Sequence, residues 1–112
     1  MPRIAKKVNV QTIIARMVKR IVKKFRPEQI ILFGSHARGE AGPDSDIDLL
    51  VVMDFEESKL DQMVRLQGVV DDIAVPVDIL VTRPEEFAWR KEVVGTVEWP
   101  AFREGKVLYA RA

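Results

Sequence analysis

Asp46 and Asp48 stand one residue apart in DIDLLVVM (46–53), a run otherwise apolar enough for a buried strand. Strand side chains alternate between faces, so both carboxylates point one way while Ile47, Leu49 and Val51 point the other. Two like charges side by side repel. Taking them out of water without a partner is costly, or forces one to stay protonated. A third acid, Asp78, interrupts VPVDILV (75–81), which reads as a neighbouring strand. Three carboxylates converging at a sheet edge make a hard-oxygen site suited to Mg²⁺, an ion that uses few carboxylates and completes its shell with water and phosphate oxygens.

Just upstream lies GSHARG (34–39). Gly34 lets a backbone approach a ligand closely, and a turn from strand into a short helix aims free N–H groups at an anion. Ser35 adds a hydroxyl donor and Arg38 a guanidinium fork that either reaches phosphate or braces the loop. A phosphate cradle beside a carboxylate trio is what metal-assisted attack on a nucleotide needs. Competing motifs fail on particular residues. Glu40 and Ala41 stand where a P-loop needs Lys and Ser/Thr, and no GxGxxG occurs. An EF-hand loop starting at Asp44 would have Leu49 in place of Gly and Phe55 in place of Glu.

Periodicity supplies the elements that must hold these groups. Apolar residues from Val10 to Phe25 recur at helical spacing opposite Arg16, Lys19, Arg20, Lys23 and Lys24, and Pro27 ends the pattern. QIILFG (29–34), DIDLLVVM (46–53) and VPVDILV (75–81) read as strands, with turn chemistry at Gly42-Pro43-Asp44. Residues 57–74 read as a helix with Leu60, Met63, Val64, Leu66, Val70 and Ile73 on its apolar side, despite Gly68. A helix opens at Pro84, a short turn of helix lies near VEWPAF (97–102), and KVLYA (106–110) is a final strand. The expected architecture is a mixed α/β (α+β) fold of about four strands in a mixed sheet with helices packed on it.

The chain has 112 residues, 47% hydrophobic and 31% charged, which fits one compact domain over 1–112 and excludes disorder. Without cysteine there is no thiol nucleophile, disulfide or Cys-based zinc site, and the lone His36 excludes a multi-histidine metal centre. His36 reads as an exposed loop residue, Asp44 as a turn former and Ser45 as a brace for the loop. MPRIAKKVNV lacks the apolar core of a signal peptide, and no segment approaches the about 18 uncharged apolar residues of a membrane span, so a cytoplasmic location is expected. Nine of the 18 Lys and Arg residues precede Glu28, the first acid. That basic helix face reads as solvated or as a surface for an acidic partner; with no interleaved aromatics it does not point to direct nucleic-acid binding. Phe87, Trp89, Trp99 and Phe102 read as core, with an exposed subset offering a partner or homo-oligomer contact.

Gly34-Ser35, ten intervening residues, Asp46-Ile47-Asp48, with Arg38-Gly39 in the spacer and Asp78 on a later strand, resembles the polymerase-beta-like nucleotidyltransferases. The short form GSHARG…SDIDLLV…VDILV is similar to the minimal nucleotidyltransferase (MNT) domains, over roughly residues 10–110. The resemblance implies that Asp46 and Asp48 bind two Mg²⁺ ions and that Asp78 binds the ion nearer the acceptor. It implies that Gly34 and Ser35 hold the β- and γ-phosphates of ATP, with Arg38 nearby. The implied reaction is attack of a hydroxyl on the α-phosphorus, transferring AMP and releasing pyrophosphate. The implied partner is a HEPN-domain toxin whose tyrosine is adenylylated, this chain being the antitoxin. Two alternatives stay open: a non-catalytic module that neutralises its partner by complex formation, and a transferase acting on a small molecule such as an antibiotic.

Overall fold

The computed structural model describes residues 9–112. The segment 1–8, part of the stretch read as no export signal, lies outside them. Helix α1 spans Val10–Phe25 as its periodicity predicts. The Asn9 side chain caps its start by accepting from the Thr12 N–H at 3.2 Å. At the other end Arg26 turns left-handed, at φ 51°, its N–H bonds the Val22 carbonyl, and Pro27 cannot continue the helix. There follow β1 (Gln29–Phe33), α2 (Ser35–Arg38), β2 (Ile47–Val52), α3 (Lys59–Val69), β3 (Val77–Thr82), α4 (Pro84–Arg90), α5 (Glu98–Glu104) and β4 (Lys106–Ala110).

The four strands form one mixed sheet in the order β3-β2-β1-β4. β1 lies antiparallel to both β2 and β4, whereas β2 and β3 run parallel and are joined through α3. Alternation along the central strands gives the sheet two different faces. One buries Ile30, Leu32, Ile47, Leu49 and Val51 against Ile14, Met17 and Ile21 of α1 and Leu66 of α3. The other buries Ile31, Leu50 and Val52 under Phe87 of α4 and Ala101 of α5, a much smaller core. No described helix is long and apolar enough to cross a membrane.

Helix α3 departs from its expected apolar stripe. Leu60 and Val64 are 65% and 63% exposed, while Gln62 is buried at 2%. Ser58 fixes the start of the helix by accepting from the Asp61 N–H at 3.1 Å, and the phase that follows turns Gln62, Leu66 and Val70 inward. Gln62 keeps its amide satisfied there, donating to Met53 Sδ at 3.6 Å and accepting from Arg65 Nη1 at 3.3 Å. The expectation that the C-terminal aromatics are core also divides. Phe87 is buried, but Trp89 and Phe102 are 57% and 47% exposed because α4 and α5 cover only part of one sheet face with one side each. The fully buried Glu98 takes their place inside, accepting from Thr82 Oγ1 at 2.7 Å and from Arg90 Nε at 3.0 Å.

Candidate active site

The three acids gather at one end of the less covered face. Asp48 is the second residue of β2 and shares that face with Leu50, and Asp46 precedes the strand two residues earlier. Across the parallel pair, Asp48 and Asp78 are direct register partners, which places their Cα atoms about 4.8 Å apart in the spacing of neighbouring strands. α4 and α5 roof Leu50 and Leu80, two residues further along, and leave the acids toward solvent. Asp46 and Asp78 are exposed and Asp48 is half-buried.

Gly34 has a geometric reason stronger than ligand approach. Its φ of 76° and ψ of −158° fall in a region that only glycine occupies comfortably. A Cβ built on it would strike the Asp48 carboxylate, reaching 3.2 Å from Cγ, so the missing side chain is the space in which Asp48 sits. Ser35 and His36 then start α2, whose Ala37 and Arg38 N–H groups both bond the Gly34 carbonyl at 3.1 Å. The turn into α2 and the Asp48 carboxylate are therefore packed against each other at Gly34.

The loop between α2 and β2 is tied down by two side chains. Ser45 Oγ accepts from the Gly42 N–H at 2.8 Å, the bracing role expected of it. His36, expected in an exposed loop, is half-buried on α2 with Nε2 3.3 Å from the Ser45 carbonyl. A carbonyl only accepts, so Nε2 carries the proton. His36 thus holds the residue directly before Asp46, a role that carries no periodic signal in sequence. Arg38 hydrogen-bonds none of the three carboxylates: its Nε donates to Glu40 at 2.9 Å and its Nη1 lies 3.6 Å from Glu104 of α5.

Burial, and then the charges of Asp78 and Asp46, push the Asp48 carboxyl above its ordinary value, against the weaker pull of His36 and Arg38. Burial and the neighbouring like charges outweigh the positive charge of His36 and Arg38. Among the described residues the acids are not drawn into a group already spaced to grip an ion. The donor set itself, three carboxylates and no nitrogen or sulfur ligand among them, fits a hard divalent cation, and the opposed ionisation of Asp48 is the strain that such an ion would relieve.

Comparisons with known proteins agree with this arrangement. The family model described as nucleotidyltransferase domain matches residues 14–99. A relative from Methanocaldococcus jannaschii, named putative protein adenylyltransferase MJ0604, is 32% identical over 91% of this chain and 100% of its own. Protein adenylyltransferase MntA of Thermococcus cleftensis is 44% identical over a shorter stretch, 43% of this chain and 46% of its own. In solved structures, the Shewanella oneidensis complex of a tri-AMPylated HEPN toxin with an MNT antitoxin contains a chain that superposes with a TM-score of 0.55. That match has 20% identity and covers 90% of this chain and 72% of that one. With the family model spanning the core of the chain and the acids placed side by side, the chain belongs to the nucleotidyltransferase domain family and is a minimal nucleotidyltransferase, an enzyme of that type.

Proposed function

We propose that the chain, acting as one domain over 1–112, transfers AMP from ATP to a hydroxyl of a protein, a tyrosine of a HEPN-domain toxin, and so serves as its antitoxin. The observation that carries this reading is the register pairing of Asp48 with Asp78, with Asp46 near enough for its charge to act on Asp48 and Gly34 against Asp48. The names of the relatives and of the superposed complex support the choice of acceptor.

In the reaction the acceptor oxygen bonds to the α-phosphorus, the bond from that phosphorus to the oxygen bridging the β-phosphate breaks, and pyrophosphate leaves. Gly34 and Ser35 hold the β- and γ-phosphates through the turn into α2, and Arg38 flanks them from its pairs with Glu40 and Glu104. Asp78, exposed on the edge strand β3, meets the incoming hydroxyl and accepts its proton. Two Mg²⁺ ions held by Asp46, Asp48 and Asp78 would supply charge neutralisation at the triphosphate and a more acidic acceptor hydroxyl. His36 keeps Asp46 in place through the Ser45 carbonyl.

The test is intact-mass spectrometry of the toxin partner incubated with this protein, ATP and Mg²⁺. Mass added in whole AMP units, absent with an Asp46→Ala/Asp48→Ala variant, is the expected result. A stable complex with no added mass would refute the transfer.

A further inference from the structure

The sheet face opposite the carboxylates is incompletely covered. α1 and α3 pack over it, but the edge strand β4 is left without a helix of its own, and a cavity of about 560 Å³ runs between α1 and β4. Ile14, Ala15, Val18 and Val22 form one wall and Leu108 and Tyr109 the other. From Gln11 to Lys23 the α1 wall covers three turns, roughly 18 Å at 1.5 Å per residue, so the shape suits an elongated segment rather than a compact small molecule.

Charge decides what kind of segment. Lys19 and Lys23 line the groove and, among the described residues, neither is ion-paired, whereas Arg20 beside them is bound to Asp72 at 2.6 Å. Arg16 and Lys24 are also exposed on α1 but do not line the groove. An occupant must bring acids to the rim and apolar groups to the floor. Residues 1–8 contain Arg3, Lys6 and Lys7 and no acid, so that stretch does not supply the complement.

We infer that the α1–β4 groove docks an acidic amphipathic helix of the toxin partner, on the sheet face opposite the carboxylates. This rests on the partner named in the proposed function, while the groove and the reaction can be tested apart. Ile47 and Leu49 face α1 and Asp48 faces away, so a partner held in the groove leaves the acid end open to its hydroxyl and to ATP. Docking and transfer then use different surfaces of one small sheet.

The experiment measures affinity of the toxin partner by calorimetry for the wild type, Lys19→Glu/Lys23→Glu and Ala15→Glu. All three positions are exposed on α1, so the variants keep the fold, which circular dichroism checks. Both variants are expected to bind at least about tenfold more weakly, and raising salt should weaken the wild type toward the charge-reversed variant. At saturating partner, the transfer rate of the charge-reversed variant should match the wild type. Unchanged affinity in both variants would overturn the inference, as would photo-crosslinks from position 18 that reach only a second copy of this chain or RNA. Weakened binding with no AMP added by the wild type would refute the transfer and uphold the groove; AMP added with unchanged affinity would do the reverse.

Discussion

Asp48 sits where burial and two like charges oppose its ionisation. Its folded-state pKa lies above the unfolded one, so between the two the native state binds the extra proton. Stability therefore falls as pH rises from the ordinary carboxylate value through the folded-state one. Asp48→Asn should raise the Tm at pH 7, with the difference from wild type shrinking below the ordinary carboxylate range, while AMP transfer drops by at least about a hundredfold. Calorimetry at pH 3 and 7 beside a transfer assay checks this; a lower Tm at pH 7 would mean the carboxylate makes compensating bonds. Gly34→Ala works through geometry. Its backbone conformation costs a residue with a Cβ about 1–3 kcal/mol, and the added methyl displaces Asp48. Urea unfolding should show that loss, and transfer should fall by more than about tenfold. The types and spacing of Asp46, Asp48 and Asp78 were legible in sequence. The reason for Gly34 was not, because the atom it makes room for is 14 positions away in the chain.

At the scale of elements, the α4–α5 pair is fastened to the sheet by one buried carboxylate. Glu98 accepts from Thr82 at the end of β3 and from Arg90 at the end of α4. Glu98→Ala leaves Thr82 without that bond and half-buried Arg90 without its acid, and should cost about 2–3 kcal/mol in chemical denaturation. Glu92→Ala, which removes the solvent-exposed pair with Arg103 at 3.9 Å, should change stability by less than about 0.5 kcal/mol. An equal effect from both would mean that burial does not decide the worth of these pairs. Elements with one strong signal were read nearly residue for residue. α1 has an unbroken apolar stripe, a cap and a terminating proline, and β4 follows Gly105, where a Cβ would meet the Ala101 carbonyl and Ile31. α3 was expected over 57–74 but spans only Lys59–Val69, the chain turning after Val69, and its apolar face also differs from the expected one. Its apolar residues are spread around the helix, and which of them turn inward depends on how the capped start docks against β2 and β3.

The whole molecule divides its work between two sides of one sheet. The acids lie beyond the small α4–α5 core, and the groove lies beside the large α1–α3 core. Substitutions on the two sides share no contacts, so their effects on stability should add: the unfolding free energy of Asp48→Asn combined with Lys19→Glu/Lys23→Glu should equal the sum of the separate changes within about 0.5 kcal/mol. A larger discrepancy, read by urea titration of all three variants, would show that the faces communicate through the central strands.

The sequence by itself determined the chemistry and most of the local structure: which residue types are available, the pairing of two acids on one face of a strand, the order of helices and strands, and the absence of any cysteine or multi-histidine centre. These follow from side-chain identity and from periods of 2 and 3.6, which are properties of neighbours in the chain. Only the tertiary structure decided that Asp78 stands beside Asp48, that Glu98 is inside while Trp89 is outside, and that a cationic apolar groove runs along α1. Each depends on strand order, register and the angle at which helices cross the sheet, and those are set by packing between segments distant in sequence.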